Sequence, residues 1–303
     1  MLIAPLRRVT RMSPVSTARE LSRAAALRVS ESGDESSFPA NDVAALEQGG
    51  LLRAPFPGEL GGEGLAGGPS AAHDLFHVLR ALGGGSLSLG RLYEGHVNAV
   101  ALVARYGTIE QLGVLAGPPG TGALLAVWNT DDGREPLRLV AERDGWRLIG
   151  CKVLCSGAGF IERPLVTARD ESGRFLMVVP RLRRGERADL AAWTPTGMQA
   201  SATGRVDFTG LHVTDGDIVG DDDDYHRQPA FSGGAWRFLA VQLGAMETVL
   251  DLCRRQHTNT GRGKDPHQAA RFGQAAIAVE TARLWSERAA SIAEVTIKDA
   301  EAT

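Results

Sequence analysis

Between Leu148 and Val213 the chain breaks into short β-type runs, and this stretch limits what the whole sequence can fold into. Leu148–Leu154, Leu165–Arg169, Phe175–Pro180 and Arg205–Val213 alternate apolar and polar residues between Gly and Pro, the pattern of an antiparallel β unit. Long Ala/Leu/Arg-rich stretches with helical spacing lie on both sides. A β unit with helices before and after it, and no regular β-α alternation, defines an α+β chain. The expected order is an N-terminal helical domain, a central antiparallel β-barrel or sandwich domain and a C-terminal helical bundle. The boundaries fall at 1–37 (an extension, partly helical), 38–118, 119–228 and 229–303.

Composition narrows the function. The 303 residues are 43% apolar and carry a net charge of −3, enough for a sizeable core and no obvious polyanion partner. Basic charge is nearly all Arg, with Lys only at Lys152, Lys264 and Lys298. Arg alternates with Asp and Glu and few aromatics interleave, which argues against nucleic-acid binding. Cys151 and Cys155 lack further partners at zinc spacing and read as buried apolar residues in a reducing compartment, so a cytoplasmic location is expected. No run approaches the roughly twenty apolar residues of a membrane span.

Arg7, Arg8, Arg11 and Arg19 precede any acid and resemble a transit peptide, but in so Arg-rich a chain an ordinary extension leading into a helix over 16–29 is the simpler reading. Asn41 or Asp42 can cap a helix that ends at Gly49-Gly50. Residues 55–65 form a loop. Its continuation holds G-x-G-x-x-G at Gly62, Gly64 and Gly67, without the preceding strand and later acid of a dinucleotide site. Helices follow over 70–82, 86–106 and 108–115. His73 and His77 share a helical face, but no third ligand accompanies them in sequence, so they read as surface or satisfied interior histidines and no metal site is expected; His96, near Tyr93 and Glu94, is read the same way.

The apolar strand around Leu124–Val127 runs into Trp128-Asn129-Thr130. Trp146–Leu154 pairs with Leu137–Arg143 through a turn at Asp144-Gly145. Ser156-Gly157-Ala158-Gly159 then offers a hydroxyl and exposed amides where a strand breaks. An aromatic wall beside hydroxyls and peptide groups suits a planar heteroaromatic ligand. The other reading makes Trp128 core and Ser156 a turn cap, and both stay open at this level. Asp221–Asp224 reads as a charged linker without calcium-loop spacing. Helices over 236–257 and 267–295 follow. Their connection carries Arg262 and Lys264, possible phosphate contacts or simply a solvated loop.

Several of these segments, in this order, resemble the acyl-CoA dehydrogenase superfamily of flavoproteins. Pro57…Gly61-Gly62-Glu63-Gly64 is similar to its P-x-x-x-G-G-x-G, and Ala126–Asp131 to its first flavin-contacting strand. Gly150-Cys151-Lys152-Val153-Leu154-Cys155-Ser156 is similar to G-x-K-x-W-I-T, and Gly197-Met198-Gln199-Ala200-Ser201 through Phe208 and Val213 to G-M-R-x-S…V-x-F-x-x-V. Gly244-Ala245-Met246 and Arg271-Phe272-Gly273 resemble parts of its C-terminal helices. The resemblance implies FAD bound by Trp128, Asn129, Thr130, Leu154 and Ser156. Leu154 replaces an aromatic, and Ser156 keeps the hydroxyl near flavin N5.

Dehydrogenation in this family needs a carboxylate base. One family position for it falls on Gly234. The other lies in the last helices, beyond Thr303. Glu247, on another helical face, is the remaining candidate. The resemblance implies a flavin-dependent oxidoreductase acting on the CH–CH group of an acyl-CoA or related small molecule. Alternatives are a flavin monooxygenase on the same scaffold, which needs no such base, and a non-catalytic homologue acting as an interaction partner. Two long helices with uncovered apolar faces imply a homodimer or homotetramer.

Overall fold

A computed structural model describes residues 12–32, 36–118 and 120–301. Arg7, Arg8 and Arg11, the basis of the transit-peptide reading, lie outside the described residues. Five helices come first: α1 (Pro14–Ser32), α2 (Ala40–Gln48), α3 (Pro69–Gly85), α4 (Leu87–Tyr106) and α5 (Ile109–Ala116). Ten strands follow: β1 (Leu125–Trp128), β2 (Arg138–Glu142), β3 (Gly145–Ile149), β4 (Cys151–Cys155), β5 (Arg163–Asp170), β6 (Phe175–Val178), β7 (Ala188–Asp189), β8 (Gly204–Asp207), β9 (Leu211–Val213) and β10 (Ile218–Val219). The chain then returns to helix in α6 (Ala230–Gly233), α7 (Trp236–Thr260) and α8 (Pro266–Glu301). This is the α+β order the sequence predicts.

Local chemistry sets most helix starts. Ser86 Oγ accepts from Leu89 N–H at 3.2 Å to open α4, and Thr108 forms a capping box with Gln111 to open α5. At α2 the expected side-chain cap is absent: Pro39 holds the cap position. Asp42 instead turns inward, accepting from Arg28 Nε at 2.8 Å and so tying α1 to α2. This part-buried ion pair takes the carboxylate that a cap would need.

The sheets depart from a purely antiparallel unit. Seven strands form a mixed sheet in the order β10-β6-β5-β2-β3-β9, with β1 also on β5; β1 and β2 both run parallel to β5. A separate sheet has the order β4-β8-β7. The predicted strand over 146–154 is therefore two strands in two sheets. The break is Gly150, at φ +117°, where a Cβ would stand 2.4 Å from Pro136 O. The hairpin turn is also displaced: Glu142 faces Gly145, leaving Arg143-Asp144 as the two turn residues.

Helix packing locates the cavity described below. α3 and α7 cross with their backbones in contact, since a Cβ at Gly244 would meet Arg80 O at 1.9 Å and one at Gly83 would meet Val241 O at 2.1 Å. The apolar core runs without a break from Leu79 and Phe76 on α3, through Trp128 on β1 and Phe208 just after β8, to Trp236 on α7. Each such fully buried side chain contributes roughly 1.5–3 kcal/mol. Asp221–Asp224 is not the free linker the sequence suggests. Asp222 accepts from Phe175 N–H at 2.7 Å and Asp224 from Asp221 N–H at 2.8 Å, pinning the segment to β6. Among the described residues no helix is long and apolar enough to cross a membrane.

Candidate functional site

The end of β1 and the length of β4 are laced together, which gathers the five residues expected to hold the cofactor. Trp128 Nε1 donates to Ser156 O at 2.9 Å, and Val153 N–H to Thr130 O at 2.9 Å. Lys152, wholly buried, reaches from β4 to Asn129 O at 3.1 Å, Asp131 Oδ1 at 2.7 Å and Thr167 Oγ1 at 3.0 Å. Burial pulls the Lys152 ammonium below its ordinary pKa, and Asp131 opposes that pull. The lysine is thus a fastener that spends its donors on the clasp.

Around this clasp the five residues divide by exposure. Asn129, Thr130 and Leu154 are exposed, whereas Trp128 and Ser156 are buried. Trp128 lies edge to face with Phe208, centroids 6.4 Å apart, so it is core beneath the site and not an open wall. Leu154 is 61% exposed because a register shift between Lys152 and Cys155 forces it to φ +56°. A non-glycine residue held in the left-handed region at a bulge marks a place where strand geometry gives way to another requirement.

The amides expected to be free after Ser156 are taken. Gly157 N–H donates to Ser201 O at 2.8 Å and Ala158 N–H to Ala202 O at 3.0 Å, because the segment over 198–203 folds across them. That segment brings hydroxyls instead. Ser201 and Thr203 stand 2.8 Å apart, and Thr203 donates to Ser156 Oγ at 3.2 Å, all three buried. Ser156 therefore accepts one bond and keeps its own proton to donate. Sequence reading matched Ser201 to a family motif but gave it no place beside Ser156, and missed Thr203, because both depend on a fold-back from a distant segment.

Beside Asn129 opens a cavity of about 460 Å³ between α4, β1, α6 and α7. Its walls are mostly apolar, among them Leu102, Val127, Phe231 and Phe238, with Glu94, Asn98, Tyr225 and Arg237 as polar groups. Tyr225 is hydrogen-bonded to the Asn129 side chain; burial, aided by the Glu94 charge, pushes its phenol up to about 12. It is neutral at neutral pH. Gly234, the position matched to the family base, lines this cavity.

Glu94 is buried in the cavity wall and bonded to both Arg91 and Asn98. Arg237 donates to Glu294 Oε1 at 2.8 Å and to Asn98 Oδ1 at 3.3 Å, and its Nε is buried without a partner. Glu247 lies away from the cavity and accepts from Arg80 Nε at 2.6 Å on the α3 side of α7. The sequence gives no signal for Arg237, Asn98 or Tyr225 as cavity residues, since only helix crossing brings them together.

The other singled-out residues have structural places. His96 is fully buried, with Nε2 2.8 Å from Leu52 O and Nδ1 accepting from Leu125 N–H at 3.1 Å. Burial lowers its imidazole to about 4. Cys151 and Cys155 are buried, and desolvation drives the Cys151 thiol up to about 12. Arg262 and Lys264 sit on the exposed turn between α7 and α8.

The helical layer, mixed half-barrel and long C-terminal helices define the class: the chain has the acyl-CoA dehydrogenase-like fold. Butyryl-CoA dehydrogenase from Megasphaera elsdenii superposes with a TM-score of 0.77 at 16% identity, over 97% of this chain and 82% of that one. FMN-bound TdsC from Paenibacillus sp. A11-2 superposes with a TM-score of 0.79 at 20% identity, over 93% of this chain and 76% of that one. In sequence, a probable FMNH2-dependent monooxygenase, SfnC of Pseudomonas putida, is 24% identical over 296 residues, 91% of this chain and 72% of that protein. No family model matches the chain.

Proposed function

We propose that the chain is a flavin-dependent monooxygenase that uses reduced FMN and molecular oxygen on a small, mainly apolar substrate. This places the monooxygenase reading above the acyl-CoA dehydrogenase one, and FMN above FAD. The observation that carries it is the cavity beside Asn129, where the position matched to the dehydrogenase base is Gly234 and the lining carboxylate, Glu94, is held by Arg91 and Asn98. A base for α-proton removal must be free and within reach of its proton. Monooxygenation has no such requirement. The similarity to an FMNH2-dependent monooxygenase and to FMN-bound TdsC supports the same choice.

The residues present fit a flavin ring: an exposed apolar side chain at Leu154, exposed polar groups at Asn129 and Thr130, and a buried hydroxyl with a spare proton at Ser156. Reduced FMN, when bound, supplies two electrons to O2, one atom of which enters the substrate while the other leaves as water. Around it, Ser156 donates a hydrogen bond where negative charge develops, its orientation fixed by Thr203. Asn129 and Tyr225 fix the polar end of the cavity, and the apolar walls exclude water that would divert the reaction.

The test is anaerobic titration of the purified chain with reduced FMN and with reduced FAD, followed by admission of air. Tighter binding of reduced FMN is expected, with no bleaching of bound oxidised flavin by a short acyl-CoA. Ser156→Ala should keep flavin binding and lower turnover by about 100-fold. Bleaching by acyl-CoA would restore the dehydrogenase reading. Failure to take up either flavin would leave the non-catalytic one.

A further inference from the structure

We propose that His73, His77 and Glu287 bind one divalent transition-metal ion of the zinc type, clamping α3 to α8. His73 and His77 sit one turn apart on α3, and their Nε2 atoms are 3.1 Å from each other. Two imidazole nitrogens on one tetrahedral zinc stand about 3.3 Å apart, so the pair is already spaced as ligands. Glu287 arrives from α8, and one ligand atom from each of the three residues falls within 4.8 Å of the others. The remaining approach is within the swing of a half-exposed glutamate. Two imidazoles and one carboxylate suit zinc and its neighbours better than calcium or magnesium.

The surroundings prepare the histidines. Asp74 Oδ1 lies 3.4 Å from His73 Nδ1; a proton held between them would leave the Nε2 lone pair to the metal. Two of the nearby cations are engaged: Arg283 by Glu280 at 2.6 and 2.9 Å, and Arg80 by Glu247 at 2.6 Å. Glu287 gives one oxygen, Oε2, to Arg283 at 2.8 Å and retains the other.

The clamp has a consequence for the cavity. Two turns beyond Glu287, α8 carries Glu294, which holds Arg237, and then Ile297, which lines the cavity. Metal at the upper turns of α8 would fix the helix that supplies this wall.

The experiment uses tag-free, chelator-treated protein titrated with zinc chloride by calorimetry, alongside thermal melts with and without zinc. One ion per chain and a raised Tm are expected. His73→Ala, at an exposed side chain, should fold normally, lose about 100-fold in zinc affinity and lose the Tm increment; Glu287→Gln should lose about 10-fold. His257→Ala and Cys253→Ser should bind as the parent does. Absence of saturable binding, or binding that neither His73→Ala nor Glu287→Gln weakens, would overturn the site. Flavin need not be present, so the outcome is independent of the monooxygenase reading.

Discussion

His96 spends both ring nitrogens on backbone, one on the segment after α2 and one on the start of β1, and burial holds its pKa near 4 against an ordinary 6.5. Above pH 6.5 the ring is neutral whether the chain is folded or not, and the bonds contribute fully. As pH falls from 6.5 toward 4, the unfolded chain takes up a proton that the folded chain refuses, so stability is lost by up to about 1.4 kcal/mol per pH unit. Urea midpoints measured between pH 7 and pH 4.5 should show this slope, and His96→Gln should flatten it. An unchanged slope in the variant would assign the effect elsewhere. At this scale the sequence was a partial guide. The buried character of Cys151 and Cys155 was legible, whereas His96 could have been surface or interior until the fold placed it. The taken amides of Gly157 and Ala158 did not, because a segment over forty residues later bonds them.

Among the elements, the α3–α7 crossing makes the sharpest prediction. Gly244→Ala puts a methyl group 1.9 Å from the Arg80 carbonyl, and neither backbone can move without parting the helices. A loss of about 1–3 kcal/mol is expected in urea unfolding. Gly113→Ala, whose nearest neighbour is the Leu60 side chain at 3.8 Å, should be tolerated and serves as the control. Helices were legible to within a few residues, since their periodicity is local, but their caps were not: the expected Asn41 or Asp42 cap is absent, and those at Ser86 and Thr108 emerged only in the structure. The strands were less so. A run from Trp146 to Leu154 looks continuous, but it changes sheets at Gly150, where φ is +117° and the Pro136 carbonyl leaves no room for a side chain. The candidate site was legible as positions along β1 and β4, because their residue order matches a family pattern. Which side chains face outward was not, since the bulge at Leu154 reverses the alternation.

Over the whole molecule, α7 and α8 present Val249, Leu252, Ile277, Leu284, Trp285, Ile292 and Val295 to solvent, each at least 46% exposed. On α8 these recur at helical spacing, as one stripe. Such a stripe favours self-association, so light scattering at micromolar concentration should give a multiple of 32.1 kDa. Trp285→Glu should shift the mass toward the monomer, and a monomeric parent would contradict the expectation. The backbone contact at Gly83 and Gly244 has a different consequence. Because α7 cannot slide along α3, the side of the cavity built by Arg237 and Phe238 behaves as a fixed gauge. At its rim stand Phe231 of the short α6 segment and Phe238 of α7, 45% and 48% exposed. Such a pocket sorts molecules by cross-section at its rim, and widening it at Phe231 would broaden what it admits without loosening the helices behind.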